Sequence, residues 1–203
     1  MARQRGRRSP AARQSTGKPP GRLRIVAGNW RSRVLDVADV AGLRPTPERV
    51  RETLFNWLGP YIAGAHCLDL FAGTGALGIE ALSRGAASCT FVERSRDAAR
   101  VLERNLELLD AVGAKVVTGD AYERLGRPWN TRFDIVFLDP PFADARLAEL
   151  CRLLEQASVL APSALVYIEE PRAGSPAKLP EQWAVEKQKT AGNVRFSLAR
   201  PAG

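Results

Sequence analysis

Asp139, Pro140, Pro141 and Phe142 follow a strongly apolar run, Phe133 to Leu138, and their types suit chemistry on an amino group. Two consecutive prolines hold Asp139 and Pro140 out of the helical region and remove two backbone donors, so the chain leaves the strand as a rigid shelf whose carbonyls stay free to accept. A planar exocyclic amine needs such acceptors. Asp139 and a shelf carbonyl can take its two N–H groups and draw its lone pair out of conjugation, while Phe142 stacks on the ring. Read alone, the tetrapeptide is also compatible with a plain loop, because Asp-Pro opens many turns.

A second group of residues lies upstream. Leu68 to Gly78 reads as strand, glycine turn and helix start, with Gly73, Gly75 and Gly78 in the spacing G-x-G-x-x-G and Glu93 20 positions beyond Gly73. That pattern also fits a dinucleotide fingerprint, so an NAD enzyme is the rival reading. Asp69 argues against it: an acid beside the turn would repel a pyrophosphate seated at a helix N-terminus. S-adenosylmethionine has no phosphate and carries an ammonium and a sulfonium, for which Asp69 is a suitable partner. Glu93 can accept from both ribose hydroxyls, and Asp120, in Gly119-Asp120-Ala121, can bind the adenine amino group. The expected donor site is therefore Asp69, Phe71, Ala72, Gly73, Thr74, Gly75, Glu93, Arg94, Asp120, Ala121 and Asp139, with S-adenosylmethionine as cofactor and no metal. Structural roles compete at each: a tight turn for the glycines, a buried loop anchor for Asp69, a helix cap for Asp120, a solvated strand end for Glu93.

These residues need a scaffold that brings strand ends together. From Cys67 onward strand and helix patterns alternate: Cys67 to Phe71, Ala76 to Ser83, Ser88 to Val92, Arg96 to Leu109, Lys115 to Thr118, Tyr122 to Leu125, Phe133 to Leu138, Ala145 to Gln156 and Ala164 to Ile168. Five short apolar strands separated by helices predict a parallel, doubly wound sheet. Trp183 to Lys189 and Val194 to Leu198 flank Thr190-Ala191-Gly192-Asn193 and predict an antiparallel hairpin at one edge, giving seven strands. Upstream, Leu23 to Ala27 and Val34 to Val37 predict a small hairpin, and Thr46 as N-cap with Pro47 at N1 predicts a helix through Leu58. The domain organisation expected is a disordered basic arm over 1–22, an N-terminal hairpin and helix over 23–60, and a catalytic domain over 61–203.

The 203 residues, 45% hydrophobic and 26% charged, suffice for one full core. The net charge of +8 is concentrated in residues 1–22, which hold Arg3, Arg5, Arg7, Arg8, Arg13, Lys18 and Arg22 and no acid. Such a segment cannot bury enough apolar surface to fold alone and reads as a phosphate-attracting arm. No apolar signal core and no membrane-length run is present, so a cytoplasmic, monomeric protein without membrane contact is expected. Cys67, Cys89 and Cys151 are odd in number and widely spaced, as for reduced core residues without zinc or disulfide spacing. The sole histidine, His66, precedes the first sheet strand, at the end opposite to where ligands bind in such sheets, and so makes a poor base.

From Leu23 to about Leu198 the chain resembles the small bacterial 16S ribosomal RNA guanine-N2 methyltransferases of the RsmD family. The resemblance is carried by Gly28-Asn29-Trp30-Arg31, by Leu43-Arg44-Pro45-Thr46 with Arg49 to Leu58, by the Asp69 glycine loop and by Asp139-Pro140-Pro141-Phe142. It implies a Rossmann-like class I methyltransferase fold and methyl transfer from S-adenosylmethionine to N2 of one guanine, at position 966, on the small ribosomal subunit. It also implies Asp139, Pro140, Pro141 and Phe142 as the catalytic set. Arg24, Arg31, Arg33, Arg44 and Arg49 are the expected RNA contacts, with Arg51 shared between RNA, the donor carboxylate and a solvated helix face. The shelf alone leaves other amines open: N6 of adenine in DNA or RNA, or a protein glutamine. An RNA-binding assembly factor with a vestigial pocket is the reading outside enzymes.

Overall fold

The computed structural model of the chain describes residues 21–142 and 146–202. The basic arm therefore lies outside the described residues apart from Gly21 and Arg22, and Arg22 opens the first strand. That strand, β1 (Arg22–Arg24), pairs antiparallel with β2 (Val34–Asp36), and α1 (Glu48–Leu58) follows. Then come β3 (His66–Asp69), α2 (Ala76–Ser83), β4 (Ser88–Glu93), α3 (Arg96–Leu108), β5 (Ala114–Thr118), α4 (Ala121–Leu125), β6 (Phe133–Leu138), α5 (Leu147–Gln156), β7 (Leu160–Pro171), β8 (Ala184–Ala191) and β9 (Val194–Arg200). Strands β3 to β9 form one seven-stranded sheet in the order β5-β4-β3-β6-β7-β9-β8, with β3 to β7 parallel and β9 antiparallel to both its neighbours.

Strand alternation sorts the core into two layers. Cys67, Cys89, Phe91, Ile135, Phe137, Leu165 and Tyr167 face one side, where α1, α2, α3 and the N-terminal hairpin contribute Leu54, Phe55, Leu77, Ile79, Leu102, Leu23 and Leu35. Leu68, Val92, Val136, Leu138, Val166 and Ile168 face the other, against Leu125 of α4 and Leu150, Cys151 and Leu154 of α5. All three cysteines are buried and free. Gly78 explains how α2 sits so close to the sheet: a Cβ there would fall 2.2 Å from Phe91 and 2.6 Å from Cys89. The chain runs outward from β3 to β5 and then returns to β6 on the other side, so β3 and β6 flank the switch point where open α/β sheets bind ligands.

Three expectations are corrected. Thr46 is not the N-cap of α1: Pro47 occupies that position without a side-chain cap bond, and the Thr46 hydroxyl points to Asp139 instead. Strand β7 is 12 residues long, beginning at Leu160 and continuing past Ile168 through Glu169 and Glu170, with a register irregularity opposite Phe133 to Ile135. Arg51 is 2% exposed, neither solvated nor available to RNA. Elsewhere α2 and β6 begin and end as expected, while residues 143–145, at the expected start of α5, lie outside the described residues.

Candidate active site

Four acids stand at the carboxyl ends of four adjacent strands. In sheet order they are Glu93 on β4, Asp69 on β3, Asp139 one residue beyond β6 and Glu169 on β7. Each lies two residues beyond a side chain of the first core layer (Phe91, Cys67, Phe137 and Tyr167), so the two-residue period of a strand puts all four on the α1 side of the sheet.

The glycine turn wraps the first pair. Gly73 (φ 53) and Gly75 (φ 78) adopt the left-handed region, and a Cβ on Gly75 would lie 2.4 Å from Leu102. Glu93 Oε2 accepts from the Gly73 N–H at 2.7 Å and Oε1 from the Ser95 N–H at 2.6 Å, so this side chain fixes the turn and the entry to α3 together. Asp69, 2% exposed, accepts from the Gly78 N–H at 3.2 Å. Burial pushes its carboxyl up to about 7, against the Gly78 and Phe71 backbone donors and with the help of the nearby Asp139 and Glu93 charges. Asp120 caps α4 with one oxygen, accepting from Tyr122 N–H at 2.9 Å and Glu123 N–H at 3.3 Å. Phe71 packs edge-on to Tyr122, with ring centroids 6.4 Å apart, over the same strand ends. Ala72, Thr74 and Ala121 are buried in the turn and at the head of α4, while Arg94 is exposed.

The second pair is built differently. Asp139 is half-buried, Pro140 buried, Pro141 exposed and Phe142 48% exposed, so a rigid shelf ends in an accessible ring. The Thr46 hydroxyl donates to Asp139 Oδ2 at 3.4 Å. Glu169, 4% exposed, accepts from the Tyr167 hydroxyl at 2.6 Å. Burial raises both carboxyls above their ordinary range; Thr46 opposes this at Asp139, while the Asp139 charge adds to it at Glu169. Neither Glu169 nor Thr46 was expected at the site. Glu169 was missed because the strand was expected to end at Ile168, although the alternation Leu165, Tyr167, Glu169 continues unbroken.

The N-terminal segment roofs this crevice, and a buried acid holds it there. Leu43 reaches within 3.0 Å of where a Gly73 Cβ would stand. Glu80 of α2, 0% exposed, accepts from the Val26 N–H at 2.9 Å and the Ala27 N–H at 3.0 Å, and pairs with Arg51 at 3.0 Å and Arg84 at 2.8 Å. Arg51 also donates to the Thr46 and Arg24 carbonyls, at 3.1 and 2.8 Å, tying the Thr46 loop to β1. Gly28-Asn29-Trp30 docks on Ser83: the Asn29 N–H donates to its carbonyl at 2.7 Å and the Trp30 N–H to its hydroxyl at 3.0 Å, and a Gly28 Cβ would stand 1.9 Å from that carbonyl. Of the arginines expected to meet RNA, Arg24, Arg31, Arg44 and Arg49 are exposed. Arg33 donates at 2.6 Å to the Leu108 carbonyl at the end of α3, where a cation complements the helix dipole. His66 opens β3 at the amino ends of the strands, opposite to the acids, with Nδ1 2.8 Å from Ser88 Oγ.

The comparisons with known proteins agree with this architecture. Residues 23–200 match the family described as Conserved hypothetical protein 95. Ribosomal RNA small subunit methyltransferase D of Escherichia coli strain K12 is 47% identical over 178 residues, covering 88% of this chain and 89% of that protein. The protein of the same name from Haemophilus influenzae is 45% identical over 186 residues, covering 90% of this chain and 96% of its own length. Among solved structures, the putative methyltransferase yhhF from Escherichia coli superposes with a TM-score of 0.84 at 44% identity, over 90% of this chain and 99% of that one. The chain thus belongs to the Conserved hypothetical protein 95 family, that of the ribosomal RNA small subunit methyltransferase D proteins.

Proposed function

We propose that this chain transfers a methyl group from S-adenosylmethionine to the exocyclic N2 of a guanine in 16S ribosomal RNA of the small subunit, the nucleotide at position 966. The observation that carries the reading is the juxtaposition across the switch point of Asp69, buried beneath the glycine turn, and Asp139, half-buried at the root of a double-proline shelf. The names borne by the relatives supply the RNA.

The residues suit the donor. Asp69 has no ion-pair partner among the described residues and lies beside a turn built without side chains at Gly73 and Gly75, while Glu93 and Asp120 keep acceptor capacity for ribose hydroxyls and an adenine amine. Ala72, Thr74, Phe71, Arg94 and Ala121 complete the surroundings. When bound, the donor supplies an electrophilic methyl on a sulfonium. Asp139 accepts one N2–H of the target base and the Pro140 carbonyl the other, turning the nitrogen lone pair toward that methyl, and Phe142 stacks on the extruded base. Asp139 then receives the N2 proton after transfer. Its carboxylate has to be ionised for both tasks, which the Thr46 hydroxyl favours. Arg24, Arg31, Arg44 and Arg49, with the basic residues of the N-terminal arm, attract phosphates without reading sequence.

Mass spectrometry of small-subunit RNA from a strain lacking this gene tests the proposal. Loss of a single N2-methylguanine, restored by the wild-type gene, is expected. Unchanged RNA would overturn the ribosomal substrate.

A further inference from the structure

The Asp-Pro-Pro-Phe shelf binds an amine without distinguishing guanine from other amines, so discrimination has to come from a neighbour. Glu169 is that neighbour on the base side of Asp139. It follows the Leu138–Ile168 pair of adjacent parallel strands, as Asp139 does, so the two carboxylates stand on strands roughly 4.8 Å apart and project from the same face. A guanine edge offers N2–H and N1–H side by side and pointing the same way, which two acceptors at such a spacing can meet together. Adenine and 2-aminopurine carry an acceptor at N1 instead.

Glu169 is built to be held still. Its side chain is 4% exposed, and Oε1 is fixed by the Tyr167 hydroxyl at 2.6 Å, itself locked in the core between Phe137 and Phe196. Oε2 has no partner among the described residues. It is not sealed in either, because the only fully enclosed side-chain polar atom lacking a partner among the described residues is Trp129 Nε1. A buried acid with one anchored oxygen and one open oxygen beside the amine site leaves that open oxygen available to a ligand or to water.

We infer that Glu169 reads the target base: with Asp139 on the N2 amine, its Oε2 accepts from guanine N1–H and so selects guanine over purines that lack that proton. This rests on the guanine-N2 reading above and deepens it. Tyr167 acts through Glu169 as a positioning residue. A glutamine at this position keeps the shape but turns an N–H₂ toward the base when its carbonyl takes the Tyr167 proton. That side chain opposes N1–H and welcomes an N1 acceptor.

The test uses the full chain and small subunits reconstituted with guanine or 2-aminopurine at the target nucleotide, both of which carry the N2 amine. Wild-type enzyme is expected to prefer guanine by about 100-fold or more in kcat/KM, the scale set by leaving a buried partner unpaired. Glu169→Gln is expected to bring that ratio to within tenfold of unity or reverse it, with donor affinity unchanged. A variant that keeps the wild-type ratio would overturn the inference. If Glu169→Gln does not fold, the wild-type ratio decides alone, and a ratio near one overturns it. Failure of wild-type enzyme to methylate guanine at all would instead overturn the guanine-N2 reading, leaving the two failures distinct.

Discussion

The Thr46 hydroxyl donates to Asp139 Oδ2 at 3.4 Å across 93 positions of sequence, joining the N-terminal segment to the double-proline shelf. The segment that precedes the catalytic fold in the chain therefore takes part in the site.

Because this donor favours the ionised carboxylate, Thr46→Ala should raise the Asp139 pKa further. In the proposed mechanism Asp139 works as the carboxylate, so activity should rise as pH climbs through its folded pKa, and the acidic limb of the kcat profile should move to higher pH in the variant. At pH 7 kcat should fall roughly threefold to tenfold, the weight of one hydrogen bond, and Thr46→Ser should restore it. A pH–rate profile superimposable on wild type would show that the contact is idle.

Glu80 satisfies two backbone donors and two guanidinium groups while fully buried. Glu80→Ala leaves Arg51 charged and unpaired in the core, a change that typically costs about 3 to 5 kcal/mol. Urea unfolding should show it, whereas the exposed Arg49→Ala should stay within about 0.5 kcal/mol of wild type. Equal midpoints for Glu80→Ala and wild type would contradict the hub.

On the proposed reading, Asp69 serves the donor at the expense of stability. Its folded pKa, about 7, lies above the ordinary 3.8, so the burial penalty is absent below the unfolded value and grows as pH rises through the folded one. Asp69→Asn removes that penalty. Thermal melts should show the variant gaining on wild type between pH 4 and 8 by an amount on the order of a few kcal/mol, while donor binding is lost. A variant less stable than wild type at pH 8 would mean that Asp69 serves the fold.

Phosphate contacts and fold contacts should separate by salt. Arg44→Ala and Arg49→Ala should each lower the log–log salt slope of RNA binding by about 0.7 to 0.9. Arg33→Ala should act mainly on stability, because its guanidinium holds the end of α3. An Arg33→Ala slope change as large as those of Arg44 and Arg49 would return that residue to the RNA.

The parallel part of the sheet was legible because β3 to β6 are short, mostly apolar and punctuated, and β6 and α2 run as their patterns dictate. The N-terminal side chains were harder, since a helix pattern says which face is apolar without saying what covers it. Arg51 was open to reading as surface, yet it stands three, four and seven positions before Leu54, Phe55 and Leu58, on the buried stripe. Glu80 carries the matching signal: it sits in a helix buried all round, where an acid requires partners. Thr46 before Pro47 follows capping statistics, which know nothing of an acid arriving from β6. The sequence of the shelf contains no trace of Glu169, because their adjacency exists only once β6 and β7 pair.

In the proposed function the row of strand-end acids divides into a donor half, Glu93 and Asp69, and a base half, Asp139 and Glu169. The most direct test of this division is Asp139→Ala, measured for donor affinity and for transfer of radiolabelled methyl to small subunits. Donor affinity should stay near wild type while transfer falls by about 100- to 1,000-fold or more, as when one preorganised polar contact to the reacting centre is removed. Wild-type transfer by Asp139→Ala, or loss of donor binding in step with activity, would contradict the division.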